Sequence, residues 1–399
     1  MKHAAKIMLL VLIGIVLGMG IAECAIRIFH LSSELQYEPN PYYGWGHTPN
    51  SEILKHQPEG MVNVVTNSAG LRDEEHQYVK PHDVFRILVL GDSFAEAIQV
   101  PLQNSFPRLL QGLSNAKGIV GRLPVEVINS GTSGYGTDNE LLFFRWEGKK
   151  YAPDVVILEL CLCNDIRNNW YKLENVVVGG FKKPYFVPGA DGDGLILQRF
   201  PFYREATLFA PVRSWLNRHV RLYPFLRESR DRLMAASGGA SSAIPLDYQL
   251  YLKESSEEWD IAWHVTHGLL RELHRDVVAS GARLFVMVVP TRFQVRSQDW
   301  RQVLETYGDM KNHEWEIDKP NRLLRQMLER ERIDYVDLLS PFRKYTNQSD
   351  SSLYLASDGH WNREGHRLAS QIIFEELTQR GMMAARTALE TNQANSEGR

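Results

Sequence analysis

Apolar residues are set along the chain in two alternating rhythms. Short runs of consecutive β-favouring residues fall at Ile87–Leu90, Val125–Ile128, Asp154–Leu162, Ala282–Pro290 and Asp334–Leu339. Between them lie segments whose apolar positions recur three and four apart, the spacing of one helix face. Asn104-Ser105-Phe106-Pro107 opens such a helix, with proline in its first turn and Leu110 and Leu113 on its buried side. Asp138 reads as the N-cap of the next, which carries Leu141, Phe144 and Trp146. A longer helix over Trp259–Ala279 is closed by Gly281, and further helices are expected over Asn321–Arg330 and about Arg363–Gly381. Strands this uniformly apolar are covered on both faces. The pattern therefore predicts an α/β fold with a five-stranded parallel sheet.

Three regions depart from the alternation. In the first thirty residues Lys2 and Lys6 precede an uncharged run from Ile7 to Ala22, closed by Glu23 and Arg27. This reads as an uncleaved transmembrane helix that keeps the N-terminus in the cytoplasm and exports the rest. A signal peptide cleaved near Ala22-Glu23-Cys24 is the rival, and Gly14 with Gly18 makes a small-residue spacing seen in packed spans. Residues 31–84 form a stem punctuated by Pro39-Asn40-Pro41, Gly44-Trp45-Gly46 and Asn67-Ser68-Ala69-Gly70, either a connection or a loop over the site. Residues 166–255 interrupt the strand–helix order with many aromatics and a hairpin turn at Gly189–Gly194. That insertion also holds an amphipathic helix carrying Arg213, Arg218, Arg221, Arg227 and Arg230, a solvated face or a contact for anionic groups. The strand–helix core is then split between 85–165 and 256–382, and 383–399 is a small, polar, flexible tail.

Composition narrows the function classes. With 44% hydrophobic and 23% charged residues, 399 positions can bury a large core. A net charge of -3 gives no ground for nucleic-acid binding. Three cysteines exclude a disulfide framework. Cys161 and Cys163, alternating on a strand, point to opposite faces and read as small inert apolar residues. The Asp-Gly run at 191–194 lacks the later ligands of a calcium loop. His264, His267 and His274 share a helix without a carboxylate partner at metal-ligand spacing, and His366 reads as a surface or packing residue.

Chemistry is expected beyond the C-terminal strand ends. There the chain places Ser93, Gly134, Asn164, Thr291-Arg292 and the loop Tyr354 to Asn362. These are the parts of an acyl-transfer site. Ser93 is the nucleophile, His360 its base, and Asp358 the group that orients the imidazole. The N–H groups of Ser93 and Gly134 and the carboxamide of Asn164 supply an oxyanion hole. Arg292, Tyr354 and Trp361 are candidates for substrate contact, and no metal or organic cofactor is required. A metal-dependent phosphoesterase built on Asp92, Asn164, Asp358 and His360 is an alternative from another class.

GDSF at 91–94, NSGTSGYGT at 129–137, ND at 164–165 and DGHWNREGH at 358–366 resemble, in order, the four blocks of the SGNH/GDSL hydrolase superfamily. The resemblance implies a flavodoxin-like three-layer α/β/α sandwich with Ser93, Gly134, Asn164 and His360 in the signature roles. The second glycine of N-x-G-x-x-G matches the family block, which favours Gly134 over Gly131. Two positions depart from the family pattern: Leu162 replaces a common glycine, and Asp358 lies two rather than three residues before the histidine. The anchor and the phrases YGWG, NSAGLRDEE and HWN are similar to bacterial membrane-tethered members, some of which acetylate exported polysaccharides. The implied function is an ester hydrolase acting outside the cytoplasm on an acylated envelope glycan or lipid, alongside polysaccharide-synthesis machinery. An O-acetyltransferase and a non-catalytic glycan-binding component are the alternatives.

Overall fold

The computed structural model describes residues 2–29, 37–118, 123–178, 183–190, 194–199, 244–349, 351–356 and 358–383, with short pieces between 212 and 230. The polar tail expected after Met383 lies outside the described residues, as do Arg213 and Arg218 of the arginine-bearing segment. The N-terminal helix α1 (Lys2–Ile28) includes a stretch, Lys6–Ile28, long and apolar enough to cross a membrane. The stem forms two antiparallel hairpins, β1 (Tyr37–Asn40) with β2 (Gly44–His47) and β3 (Glu52–Gln57) with β4 (Gly60–Val65).

The core sheet begins with β5 (Phe85–Leu90), β6 (Val125–Asn129) and β7 (Val155–Cys161). After a small hairpin, β8 (Tyr185–Pro188) with β9 (Leu195–Gln198), it is completed by β10 (Arg283–Val289) and β11 (Asp334–Asp337). The order is β6-β5-β7-β10-β11 and every pair is parallel. In chain terms the core strands run second, first, third, fourth, fifth, the doubly wound order of a flavodoxin-like sheet. Its switch point lies beside β5, where the chain leaves in opposite directions and a crevice opens.

Helices on each face follow from the two-residue alternation of the strands. They are α2 (Ser93–Glu96), α3 (Phe106–Lys117), α4 (Thr137–Trp146), α5 (Asp165–Asn168) and α6 (Glu257–Ala279), then α7 (Arg292–Val295), α8 (Lys319–Arg330), α9 (Leu339–Gln348) and α10 (Arg363–Gln379). Leu88, Leu158 and Val286 pack with Phe144, Leu270 and Leu324 of α4, α6 and α8. Ile87, Ile157 and Met287 pack with Leu110, Phe342 and Ile373 of α3, α9 and α10. Burying such a side chain contributes about 1.5–3 kcal/mol, so the two apolar layers fix the sheet before any polar group is considered.

Two sequence expectations change. The N-cap of α4 is Gly136, and Asp138 sits one residue inside the helix, fully buried. Its Oδ1 accepts from the buried Lys183 Nζ at 2.9 Å, a partner 45 residues on that no local pattern reveals. Cys161 and Cys163 are joined in a disulfide with Cα atoms 5.2 Å apart. Strand β7 ends at Cys161, so the two-residue alternation stops there and the turn brings both sulfurs together. A hairpin forms where one is expected, β8 pairing with β9 and Gly189 N–H donating to Gly194 O at 2.7 Å, while residues 191–193 of the expected turn lie outside the described residues.

The stem is fastened to the sheet by a buried ionic cluster. Asp73 Oδ2 accepts the Asn129 N–H at 2.7 Å and faces His76 Nε2 at 3.0 Å, while His76 Nδ1 meets Glu126 Oε1 at 2.6 Å. Burial alone would lower the His76 pKa, but the hydrogen bonds and charges of Asp73 and Glu126 outweigh it and raise the value to about 9. A value raised on folding stabilises the protein fully below the unfolded pKa of 6.5, and that stability is lost as pH rises through about 9. Unfolding free energy should therefore fall between pH 7 and pH 9.5 by about 2 kcal/mol more in the wild type than in His76→Gln. Parallel curves for the two proteins in urea titrations would contradict this assignment.

Candidate active site

Strand β5 ends at Leu90 and Gly91, and the chain turns directly into α2. Asp92 caps that helix, its Oδ1 accepting the Phe94 N–H at 2.8 Å, which leaves Ser93 at the helix start. A Cβ on Gly91 would lie 2.6 Å from Glu159 Oε2, and one on Gly131 would lie 2.4 Å from the Glu96 backbone nitrogen. Only glycine lets β7 and the turn after β6 approach the nucleophile helix this closely.

The imidazole arrives from the loop before α10. Leu355 N–H donates to His360 O at 2.7 Å and closes that loop. His360 Nε2 lies 2.7 Å from Ser93 Oγ, and its ring packs on Phe94 with centroids 5.0 Å apart. Asp358 holds the loop through its Oδ1, which accepts the His360 N–H at 3.1 Å. Its Oδ2 faces His360 Nδ1 at 3.4 Å, and Nδ1 has no hydrogen-bond partner among the described residues, so the carboxylate lies beside the ring at ion-pair rather than hydrogen-bond distance. Burial pushes the Asp358 pKa up, but the adjacent His360 ring and the His360 backbone N–H more than offset it and leave it below the usual value.

Asn164 follows the disulfide at the end of β7 and donates through Nδ2 to Tyr135 O at 3.2 Å. Gly134 adopts a left-handed conformation with φ of 81°, and its carbonyl accepts from Asn168 Nδ2 at 3.0 Å. A cavity of about 350 Å³ adjoins His360 and is lined by Phe94, Cys163, Tyr248, Arg292 and Phe293. Arg292 lines this cavity while bracing the histidine loop, donating to Ala356 O at 2.8 Å and facing Asp299 Oδ2 at 3.4 Å.

The expected substrate contacts Tyr354 and Trp361 require correction. Trp361 is fully buried between Phe94, Phe106 and Phe342, and Tyr354 is buried with its hydroxyl donating to Pro290 O at 2.8 Å. Both brace the histidine loop from beneath because their rings anchor it into the apolar layer of α3 and α9. His366 is likewise buried, stacked on Phe106, and burial lowers its pKa to about 3. Among the described residues, a group of metal-type side chains with ligand atoms within 4.8 Å of one another is Asp92, Cys161 and Cys163. Its two sulfurs are spent in the disulfide, and the Asp92, Asp358 and His360 set of the phosphoesterase alternative is not among such groups.

Sequence reasoning missed the acidic floor under Ser93. Glu159 Oε2 accepts the Asp92 N–H at 3.0 Å, and Glu140, Glu159 and Asp165 are all buried. Burial, and then the neighbouring carboxylates, push Glu159, Glu140 and Asp165 well above the ordinary carboxyl range. Burial raises the Asp92 pKa as well, because the ionised form of a carboxyl is disfavoured away from water. The only hint in the sequence is a glutamate inside an otherwise apolar strand.

The ordered blocks and the five-stranded parallel sheet are similar to those of the ester-acting SGNH/GDSL hydrolases. Residues 250–399 match a family described as an SGNH hydrolase-like domain of the acetyltransferase AlgX. An arylesterase of Vibrio mimicus is 29% identical over 150 residues, covering 36% of this chain and 72% of that protein. Among solved structures, the acetyl xylan esterase AlAXEase is 12% identical with a TM-score of 0.38 and covers 73% of this chain and 98% of its own. A catalytic mutant of the acetylxylan esterase Axe2 from Geobacillus stearothermophilus is 16% identical with a TM-score of 0.37, covering 75% and 96% respectively.

The disulfide beside Asn164 has a direct readout. Alkylation of the unfolded, unreduced protein should add one label, at Cys24, and three after reduction. Three labels without reductant, counted by intact mass, would remove the crosslink from the site.

Proposed function

We propose that this chain is a membrane-anchored serine esterase working outside the cytoplasm on an acylated envelope glycan or lipid. The 2.7 Å contact between Ser93 Oγ and His360 Nε2 carries the reading. His360 accepts the Ser93 proton as Oγ attacks the acyl carbonyl, and the oxyanion is held by the N–H groups of Ser93 and Gly134 and the Asn164 carboxamide. Asp358 stabilises the imidazolium so formed. His360 then returns the proton to the departing alkoxide, leaving acyl-Ser93. Water, deprotonated by His360 in turn, releases the acid and restores the serine.

Support for the location is physical. The apolar stretch of α1 follows Lys2 and Lys6, a charge bias that keeps the N-terminus in the cytoplasm, and disulfides persist in exported proteins. A second reading, transfer of the acyl group to a sugar hydroxyl, is favoured by the match of residues 250–399 to an acetyltransferase domain. The two differ only in which hydroxyl reaches acyl-Ser93, and partners in polysaccharide synthesis belong to that second reading.

Full-length protein in detergent should release acid from a short acyl ester and become covalently labelled by a serine-directed phosphonate. Ser93→Ala should abolish both, and Asn164→Ala should lower kcat about 10²–10³-fold. Asp358→Ala should cost less than His360→Ala, given its longer contact. An acetylated oligosaccharide product in the presence of an unmodified acceptor would select transfer over hydrolysis. Undiminished turnover by Ser93→Ala would end the proposal.

A further inference from the structure

Two stem residues, Tyr37 and His47, meet one buried carboxylate at the back of the site, and neither lines the cavity. Glu96 closes α2, one turn after Ser93, and is wholly buried. Its Oε1 accepts from the Tyr37 hydroxyl at 2.7 Å and faces His47 Nε2 at 2.5 Å. Its Oε2 accepts the hydroxyl of Ser133, the residue immediately before Gly134. The other ring nitrogen, His47 Nδ1, faces Gly70 O at 2.9 Å, so both nitrogens point at acceptors. Burial would raise the Glu96 pKa, yet His47, Ser133 and Tyr37 together bring it down to about 2. Arg72, also buried, donates to the Glu96 carbonyl at 2.6 Å and to Val100 O at 2.7 Å, which locks the helix end that carries this carboxylate.

Trp45, in strand β2, completes the arrangement. Its indole Nε1–H donates to Ser133 O at 3.1 Å, and its backbone carbonyl accepts the Tyr135 hydroxyl. The Ser133 carbonyl and the Gly134 N–H belong to the same planar trans peptide unit. Holding that oxygen therefore fixes the direction of the Gly134 N–H. The side chain of Ser133 is held by Glu96, the carbonyl by Trp45, and the following carbonyl by Asn168.

We infer that Trp45 and Glu96 are positioning residues that aim the Gly134 N–H into the oxyanion hole, making the stem a working part of the catalytic site. This rests on the serine acyl-transfer reading given above. Glu96 ties the nucleophile helix, the oxyanion turn and the stem to one charge. Trp45 sets the tilt of the peptide that donates. A peptide plane free to turn would present its N–H to the ground-state carbonyl and the oxyanion alike, and the advantage specific to the transition state would shrink.

The test compares wild type with Trp45→Phe, which keeps an aromatic ring and removes the indole donor, and with Ser133→Ala and Ser133→Thr. Turnover of a short acyl ester and inhibition by an alkylboronic acid, which forms a tetrahedral adduct on a nucleophilic serine, are measured on full-length protein. Trp45→Phe and Ser133→Ala should lower kcat about tenfold to 10²-fold, with KM changed less than about threefold. Boronate affinity should fall by the same factor as kcat, and Ser133→Thr, which restores the hydroxyl, should recover most of the loss. A folded Trp45→Phe protein with wild-type kcat overturns the inference, as does a loss of kcat with boronate affinity intact. Where Trp45→Phe does not fold, the Ser133→Ala and Ser133→Thr pair decides by the same criteria. A wild-type chain that neither turns over the ester nor labels at Ser93 overturns the serine reading and this brace together. A wild-type chain that does both, matched by its variants, overturns the brace alone.

Discussion

The hydroxyl of Ser93 and the imidazole of His360 are 267 residues apart in the chain and 2.7 Å apart in space. That separation is closed by the parallel sheet rather than by any local attraction between the two groups. A hydrogen bond contributes about 0.5–1.5 kcal/mol net, far too little to order two loops. The apolar layers above and below β5 and β7 do the ordering, and Trp361 and Phe94 extend one of them to the rim, directly under the two reacting side chains. The Ser93–His360 contact is thus the surface consequence of a packed interior.

The floor of the site shows the cost of that burial. Asp92, Glu140, Glu159 and Asp165 are removed from water within a short distance of the nucleophile, and several of their oxygens have no partner while ionised. Charged carboxylates crowded this way would repel one another strongly in a low dielectric. Burial raises the pKa of all four, the direction in which a crowded carboxyl sheds such repulsion. Glu96 takes the opposite solution, staying ionised because His47, Tyr37 and Ser133 all face it. The two carboxylate environments lie on either side of the turn from β5 into α2, one holding its backbone and the other its helix end.

Most of the architecture was legible from local patterns. The five core strands lie where the apolar runs predict them, because a strand covered on both faces has no other composition available. The positions of Ser93, Asn164 and His360 were legible for the same reason, each lying where a strand or loop ends in small and polar residues. What misled was any inference that stopped at neighbours in sequence. Asp138 has the composition and place of an N-cap, yet Lys183 claims it. Tyr354 and Trp361 flank the histidine as sugar-binding aromatics would, yet both rings turn inward. Cys161 and Cys163 alternate only if the strand continues, and it does not.

By itself the sequence determined the layer order, the strand ends and the chemical kinds of group gathered there, since hydrophobic period and turn composition are properties of short windows. Only the tertiary structure decided that the stem packs against α2 and the turn after β6, with Trp45 and His47 reaching residues 88 and 49 positions away. It also decided which buried carboxylates keep their charge. Both outcomes depend on which donors and which dielectric surround a group, and those are set by segments that meet only after the sheet has closed.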